Sequence, residues 1–282
     1  MALLRRYSLI KNNIPLAIPG SWLLAFFVAP LSVLLIYSFL SKGTYGGVEW
    51  IPTISNYTRL FDSLYVKVFF NSIVLAAVTT GLCLFLGVPL AFWMIQVRPK
   101  LRMILLFLVV LPFLSNFLVR TYAIKGLLGN EGWLLELLHW IKLVPEDVSL
   151  GQGLSAVAIG LITNYLPLMT LPLFIGFEKF DFSILEAAKD LGAGPFQSFF
   201  TVFLPNVKGS LYSASFMVFV PALGEFLIPD LLGGAQVQTV GKVVAEQFLK
   251  TRDWPFGAAL TFSLMLLLFL SLFRRQDSGV PS

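Results

Sequence analysis

Six runs of apolar residues, 19–40, 68–95, 101–122, 154–177, 211–231 and 256–273, set the fold class of this chain. Crossing a bilayer as a helix takes about 20 predominantly apolar residues, and each run approaches or exceeds that length. A water-exposed fold has nowhere to hide so much apolar length. Charged residues make up only 12% of the 282, and hydrophobic ones 57%, where soluble domains carry about 25% charge. Inside hydrocarbon the backbone must bond to itself, so the expectation is an all-α integral membrane protein with six transmembrane helices. Arg5, Arg6 and Lys11 precede the first run, as in a signal peptide. That run is too long, however, and no small-residue cleavage site follows it, so it reads as a retained helix.

Lysine and arginine in short loops set orientation. Arg98, Lys100 and Arg102 crowd the turn between runs two and three; Lys179, Lys189 and Lys208 lie between four and five; Arg274 and Arg275 follow run six. With Arg5, Arg6 and Lys11 these fall on one side of a six-span bundle, so both termini are expected in the cytoplasm of a bacterial inner-membrane protein. The opposite loops hold Glu49, Asp62, Glu131, Glu136, Glu146 and Asp147, with Lys242, Lys250 and Arg252 against the trend. The net charge of +5 therefore reads as topology and not as nucleic-acid binding. One cysteine, Cys83, and one histidine, His139, leave no disulfide framework and no Cys- or His-built metal centre to expect.

No linker or low-complexity block interrupts the sequence, so residues 1–282 read as a single helical transmembrane domain. Its outer segments are amphipathic. In "NEGWLLELLHWIKLV" (130–144), Trp133, Leu134, Leu137, Leu138, Trp140 and Ile141 recur at near-helical spacing, as in helices that rest among lipid headgroups. "NYTRLFDSLYVKVFFNS" (56–72) leads into run two, and "DWPFG" (253–257) reads as a helix start with Asp253 as its cap.

The most informative stretch is polar. "EAAKDLGAGPFQSFFTVFLP", Glu186 to Pro205, lies between runs four and five, within a loop spanning 178–208. Ser183 and Glu186 have the spacing of a capping box. Gly192 can end that helix in the left-handed conformation. Pro195 can open a second helix, which Pro205 is expected to stop. Phe196, Phe199, Phe200 and Phe203 then share one broad face. They either pack on the protein's own spans or fill a groove on a partner, and the small residues Ala187, Ala188, Gly192, Ala193 and Gly194 suit close approach by another backbone.

Glu186-Ala187-Ala188, then Gly192, Val202 and Leu204-Pro205 at their spacing, are similar to the EAA signature of ABC importer permeases; Val202 departs from the isoleucine common there. The resemblance implies that Glu186, Ala187, Ala188, Asp190, Gly192, Ala193, Pro195, Leu204 and Pro205 form a coupling helix docked on a cytoplasmic ATPase dimer. It also implies a second six-span permease subunit and an extracytoplasmic substrate-binding protein. No phosphate-binding G-x-x-x-x-G-K-[ST] run occurs, so ATP and Mg are expected on the partner, and no catalysis or cofactor in this chain.

Further stretches, "VLPFLSNFLVRTYAIKGLL", "GEFLIPDLLGG" and "RDWPFGAA", resemble spermidine/putrescine importer permeases. Run five carries Glu225 and Asp230 in or at the rim of apolar sequence, where a carboxylate costs about 2.5–3.5 kcal/mol unless it faces water or a partner. Pro229 cannot donate to the Glu225 carbonyl, so a broken helix is expected there, with the freed carbonyl beside a carboxylate as a seat for an ammonium group. Tyr122, Tyr165 and Trp93 are candidate cation-stacking residues. Asn116 and Asn164 read as helix-to-helix bonding groups. Three alternatives stand beside the polyamine reading: an ABC permease for sulfate, thiosulfate, phosphate or iron, an ion-gradient-driven secondary transporter, and a non-transporting membrane scaffold; Glu225 could also serve structure alone by pairing with Arg120.

Overall fold

A computed structural model describes residues 19–129, 132–142, 145 and 150–276. Arg5, Arg6, Lys11, Glu131, Glu146 and Asp147 lie outside the described residues, as do the side chains of Arg274 and Arg275. Contacts divide the chain into two units, Met1–Val66 with Val244–Leu270 and Lys67–Val243 with Ser271–Ser282.

Helix occupies each of the six apolar runs. Among the described residues, three helices are long and apolar enough to cross a membrane unaided: Pro19–Ser38, Ser63–Gln96 and Leu154–Glu178. Run three is not one rod as expected. Pro99–Leu114 and Phe117–Leu128 meet at a 96° bend and pass the same test together. Run five is also broken, into Lys208–Gly224 and Leu227–Leu232. The last run lies within Trp254–Gln276. The second helix starts earlier than the apolar run suggests. Its 34 residues extend about 51 Å at 1.5 Å per residue, well beyond a hydrocarbon core of about 30 Å.

In the first unit an antiparallel hairpin, β1 (Leu40–Lys42) and β2 (Val48–Pro52), follows the first helix, with Ser41 opposite Glu49 and Lys42 opposite Val48. The sequence reading did not foresee it. Its turn needs Gly46 and Gly47 at φ +90° and +81°, and the Gly47 amide donates to the Arg252 carbonyl at 2.8 Å. Buried Asn56 donates from Nδ2 to the Ser38 and Leu40 carbonyls, 3.0 and 2.8 Å. Asp253 caps the last helix as expected, accepting from the Phe256 amide at 3.2 Å. It also pairs with Arg59 at 3.0 Å, whose guanidinium lies 3.9 Å over the Phe256 ring.

In the second unit, Lys208–Gly224 packs along Leu154–Glu178 over a core that includes Leu161, Met169, Leu173, Phe177, Phe203 and Leu223. The approach is closest at Gly176, where a β-carbon would collide with the Ser210 side chain. Small residues at such crossings let packing replace the hydrophobic effect that lipid does not supply. The expected helix-to-helix role of Asn164 is not what forms: its Nδ2 donates back to the Gly160 carbonyl at 2.7 Å. Asn116 caps its own helix, accepting from the Leu118 amide at 2.8 Å.

Gly176→Val should force these two helices apart and destabilise the protein by about 1–3 kcal/mol. Gly194→Ala, where no atom lies within 4 Å of the added carbon, serves as control. Thermal unfolding in detergent measures both, and equal midpoints would refute the crossing contact.

Candidate functional site

The segment between Leu154–Glu178 and Lys208–Gly224 folds as a helical hairpin. Its first helix, Ser183–Asp190, is capped differently from expectation. Asp181, not Ser183, supplies the cap: its Oδ1 accepts from the Ser183 amide at 3.0 Å. This bond to the charged form holds the Asp181 carboxyl below the usual carboxylate range. The helix ends as the sequence requires. Gly192 sits at φ +89°. The Ala193 amide reaches the Ala188 carbonyl at 3.0 Å and the Gly192 amide the Lys189 carbonyl at 2.8 Å, the paired bonds of a Schellman closure.

Pro195 opens the second helix, Pro195–Ser198. Pro205 does not stop it, contrary to expectation. A π turn over Phe199–Phe203, closed by the Leu204 amide on the Phe199 carbonyl, leads into Leu204–Asn206. A widened turn makes room for a proline ring whose missing N–H breaks the α-helical ladder.

The four phenylalanines differ in burial. Phe203 is fully buried, with ring centroids of Phe92, Phe177, Phe180 and Phe199 at 4.7, 4.9, 5.0 and 5.4 Å. Phe196 and Phe200 are 81% and 60% exposed and line a cavity with Leu84, Phe85 and Val88 of the Ser63–Gln96 helix; Leu191, at the hairpin corner, is 89% exposed. Phe199 and Phe203 anchor the hairpin to the ends of two long helices. In the same segment Glu186, Ala187, Asp190, Gly192, Pro195 and Pro205 are exposed, and Ala188, Ala193 and Leu204 half-buried.

The second polar cluster surrounds the break in run five. Glu225 ends Lys208–Gly224 in extended conformation, φ −65° and ψ 128°, four residues before Pro229 as proline geometry demands. Its Oε2 accepts from the Tyr165 hydroxyl at 2.6 Å and its Oε1 from the Leu227 amide at 2.9 Å. The Glu225 carbonyl is not vacant for a cation as expected: the Thr239 hydroxyl donates to it at 3.3 Å. Gly241 packs close against the same turn, since a β-carbon there would lie 2.8 Å from the Glu225 oxygen. Nor does Glu225 pair with Arg120. Arg120 Nη1 donates to the Pro112 carbonyl at 2.8 Å, filling the break in run three.

Asp230 is half exposed, 3.9 Å from the buried Lys242 ammonium, which itself donates to the Gly234 carbonyl at 2.7 Å. Trp93 and Tyr122 are exposed. The Val240 amide donates to Ser72 Oγ at 2.7 Å, which fixes the level of this cluster along the Ser63–Gln96 helix. Trp93, 21 residues further on (93 − 72), lies about 30 Å away along the axis. It belongs to the hairpin end and cannot share a site with Glu225.

Residues 83–277 match the family described as binding-protein-dependent transport system inner membrane component. The chain belongs to this family. Among curated relatives, the spermidine/putrescine transport system permease protein PotB of Haemophilus influenzae is 42% identical over 262 residues, covering 93% of this chain and 92% of the relative. The Escherichia coli protein of that name is 39% identical over 251 residues, 89% and 91% of the two chains. In fold, the permease is similar to a chain of a bacterial ABC transporter that imports alginate, at 19% identity and TM-score 0.68 over 98% of this chain and 96% of the other. It is a multi-pass inner-membrane transport subunit.

Sequence reasoning placed the permease's polar hairpin and helix break but missed their supports. Thr239 immediately precedes, and Gly241 and Lys242 open, a short helix, Val240–Leu249, that falls outside the six apolar runs. Phe177, Phe180 and Phe182 cluster visibly in sequence, just before the hairpin they hold.

Because the lowered Asp181 value means the cap is charged at neutral pH, its contribution persists above the ordinary carboxylate range and is lost as pH falls through the lowered value. Asp181→Ala should speed amide exchange at Ser183 and its neighbours at neutral pH. The acceleration should vanish in acid, where the wild-type carboxyl is protonated. Identical exchange at neutral pH would exclude the cap.

Proposed function

We propose that this permease subunit carries polyamines of the spermidine/putrescine class into the cell, driven by a separate ATPase dimer that binds the ATP and Mg. The observation that carries the reading is the hairpin. The EAA-like spacing is realised as a closed helix anchored on the spans through Phe203, with Glu186, Ala187, Asp190, Leu191 and Gly192 exposed. Such an exposed helix suits the helix-in-groove mode of recognition. In this reading Glu186, Ala187, Ala188, Asp190, Gly192, Ala193, Pro195, Leu204 and Pro205 contact the ATPase, and the hairpin and both termini are cytoplasmic. A second permease subunit completes the pathway, and an extracytoplasmic binding protein delivers the cargo.

The polyamine cargo is supported by relatives at 39–42% identity that bear that transport name and by Glu225. Its carboxylate is half-buried at the broken helix and each oxygen keeps a free lone pair beyond its present donor, so an ammonium group can be accepted there. Tyr165 orients the carboxylate, Asp230 stands at the rim, and Tyr122 offers an exposed ring. An anion cargo would meet the Glu225 and Asp230 carboxylates at this broken helix.

The deciding experiment is uptake into liposomes holding the permease, its partner permease and the ATPase, with the binding protein outside. Labelled spermidine or putrescine should accumulate only with ATP inside the nucleotide-accessible compartment, and sulfate should not. Glu225→Gln should lower polyamine uptake about tenfold while the complex still assembles. Uptake that persists without the ATPase would favour a gradient-driven carrier instead.

Gly192→Val should weaken ATPase association, since a β-branched residue at φ +89° bears roughly 1–2 kcal/mol of strain. Gly192→Asn, which tolerates that conformation better, should be milder. Co-purification of the ATPase measures the order, and equal association of the three proteins would show that the turn does not matter for docking.

A further inference from the structure

Arg102 lies in the first turn of Pro99–Leu114, where nothing in the expected chemistry of transport requires it. Its guanidinium makes two bonds to two other helices. Nη2 donates to the Ile95 carbonyl at 2.7 Å, and Nη1 to Glu178 Oε1 at 2.9 Å. Nε is buried and without a partner. Ile95 is the penultimate residue of Ser63–Gln96 and Glu178 the last of Leu154–Glu178. Both helices therefore present C-terminal ends, with unpaired carbonyls and negative dipole ends. A glutamate at such an end is unfavourable unless a cation compensates it, and Arg102 supplies that cation to both ends at once.

The position of these two ends gives the contact its meaning. Phe92, three residues before Ile95, and Phe177, one residue before Glu178, are walls of the socket that holds Phe203. Arg102 thus joins the two walls just beyond the buried ring through which the hairpin is anchored. As an ion pair it is weak: the two side chains are 27% and 52% exposed, and such pairs contribute little to stability. The Ile95 bond is the stronger arm, a short charge-assisted hydrogen bond to a helix-end carbonyl, so the separation of the two helix ends rests on both arms together.

Resting on the proposed ATP-driven function, we propose that Arg102 is a positioning residue of transport. By tying Ile95 to Glu178 it keeps the Phe203 socket closed, so that displacement of the hairpin moves the long helices and is not absorbed by spreading of the socket.

The test uses the complete importer in liposomes, with polyamine uptake and ATP hydrolysis measured together. Arg102→Gln should leave assembly and cargo-independent hydrolysis within about twofold of wild type but lower cargo transported per ATP about tenfold. Arg102→Lys, which keeps one charge but cannot fork to both partners, should recover part of the ratio. Glu178→Gln should fall between, because the Ile95 contact survives, and the double variant should be no worse than Arg102→Gln, since the two act through one contact. An unchanged ratio in Arg102→Gln, or a loss of uptake that merely follows a loss of assembled complex, would overturn the clamp alone. Wild-type liposomes lacking ATP-dependent uptake would instead overturn the functional reading on which it rests.

Discussion

Every backbone amide and carbonyl at membrane depth must find its partner within the protein, and this constraint decides where the helices of the permease can break. Both breaks are repaired by polar side chains. Between Leu114 and Phe117 the Pro112 carbonyl receives the Ser115 amide at 3.2 Å, the Ser115 hydroxyl at 2.7 Å and Arg120 at 2.8 Å. Asn116 accepts from the Leu118 amide in the first turn of the next helix. At Glu225 the carbonyl receives Thr239, and the side chain turns back to the Leu227 amide. Arg120 is thus a repair group of the fold, and a sequence reading that sought an acidic partner for it was looking for the wrong kind of acceptor.

The same constraint does not act on the polar hairpin, where packing decides. Phe203 has aromatic neighbours from both long helices and from the approach segment, each such pair being worth about 0.5–1.5 kcal/mol beyond area. That anchoring sets the exposed corner at Leu191 and Gly192 on a packed base. The π turn over Phe199–Phe203 changes the angular spacing of those two rings from that of an α-helix, and both meet Phe92.

Much of this was legible in the sequence because it rests on local rules. Apolar length marked the helices, Gly192 and Pro195 marked the hairpin corner, and Pro229 marked the break at Glu225. What was not legible depends on distant partners. Tyr165 and Glu225 are 60 residues apart, and Ser72 and Val240 are 168 apart; neither pairing leaves a periodic trace. The hairpin β1–β2 was missed because an apolar-length argument ignores short strands held by two glycines at positive φ. The cap was assigned to Ser183 because the capping-box spacing fitted, yet Asp181 stood two residues earlier and its charged oxygen is the stronger acceptor.

The satisfied state of Glu225 also bears on what this subunit can do with a cation. A lone carboxylate at this depth costs about 2.5–3.5 kcal/mol, and hydrogen bonds to a charged group contribute about 1.5–3 kcal/mol each. With donors from Tyr165 and Leu227 on its two oxygens, Glu225 needs no bound cation to be tolerated. An approaching ammonium then gains only what the remaining lone pairs offer, with the Glu225 carbonyl already occupied by Thr239. On the proposed polyamine function, such a group would guide a cation without trapping it. In a pathway where a separate binding protein captures the cargo, weak engagement favours throughput, because a deep well between capture and release would slow every cycle.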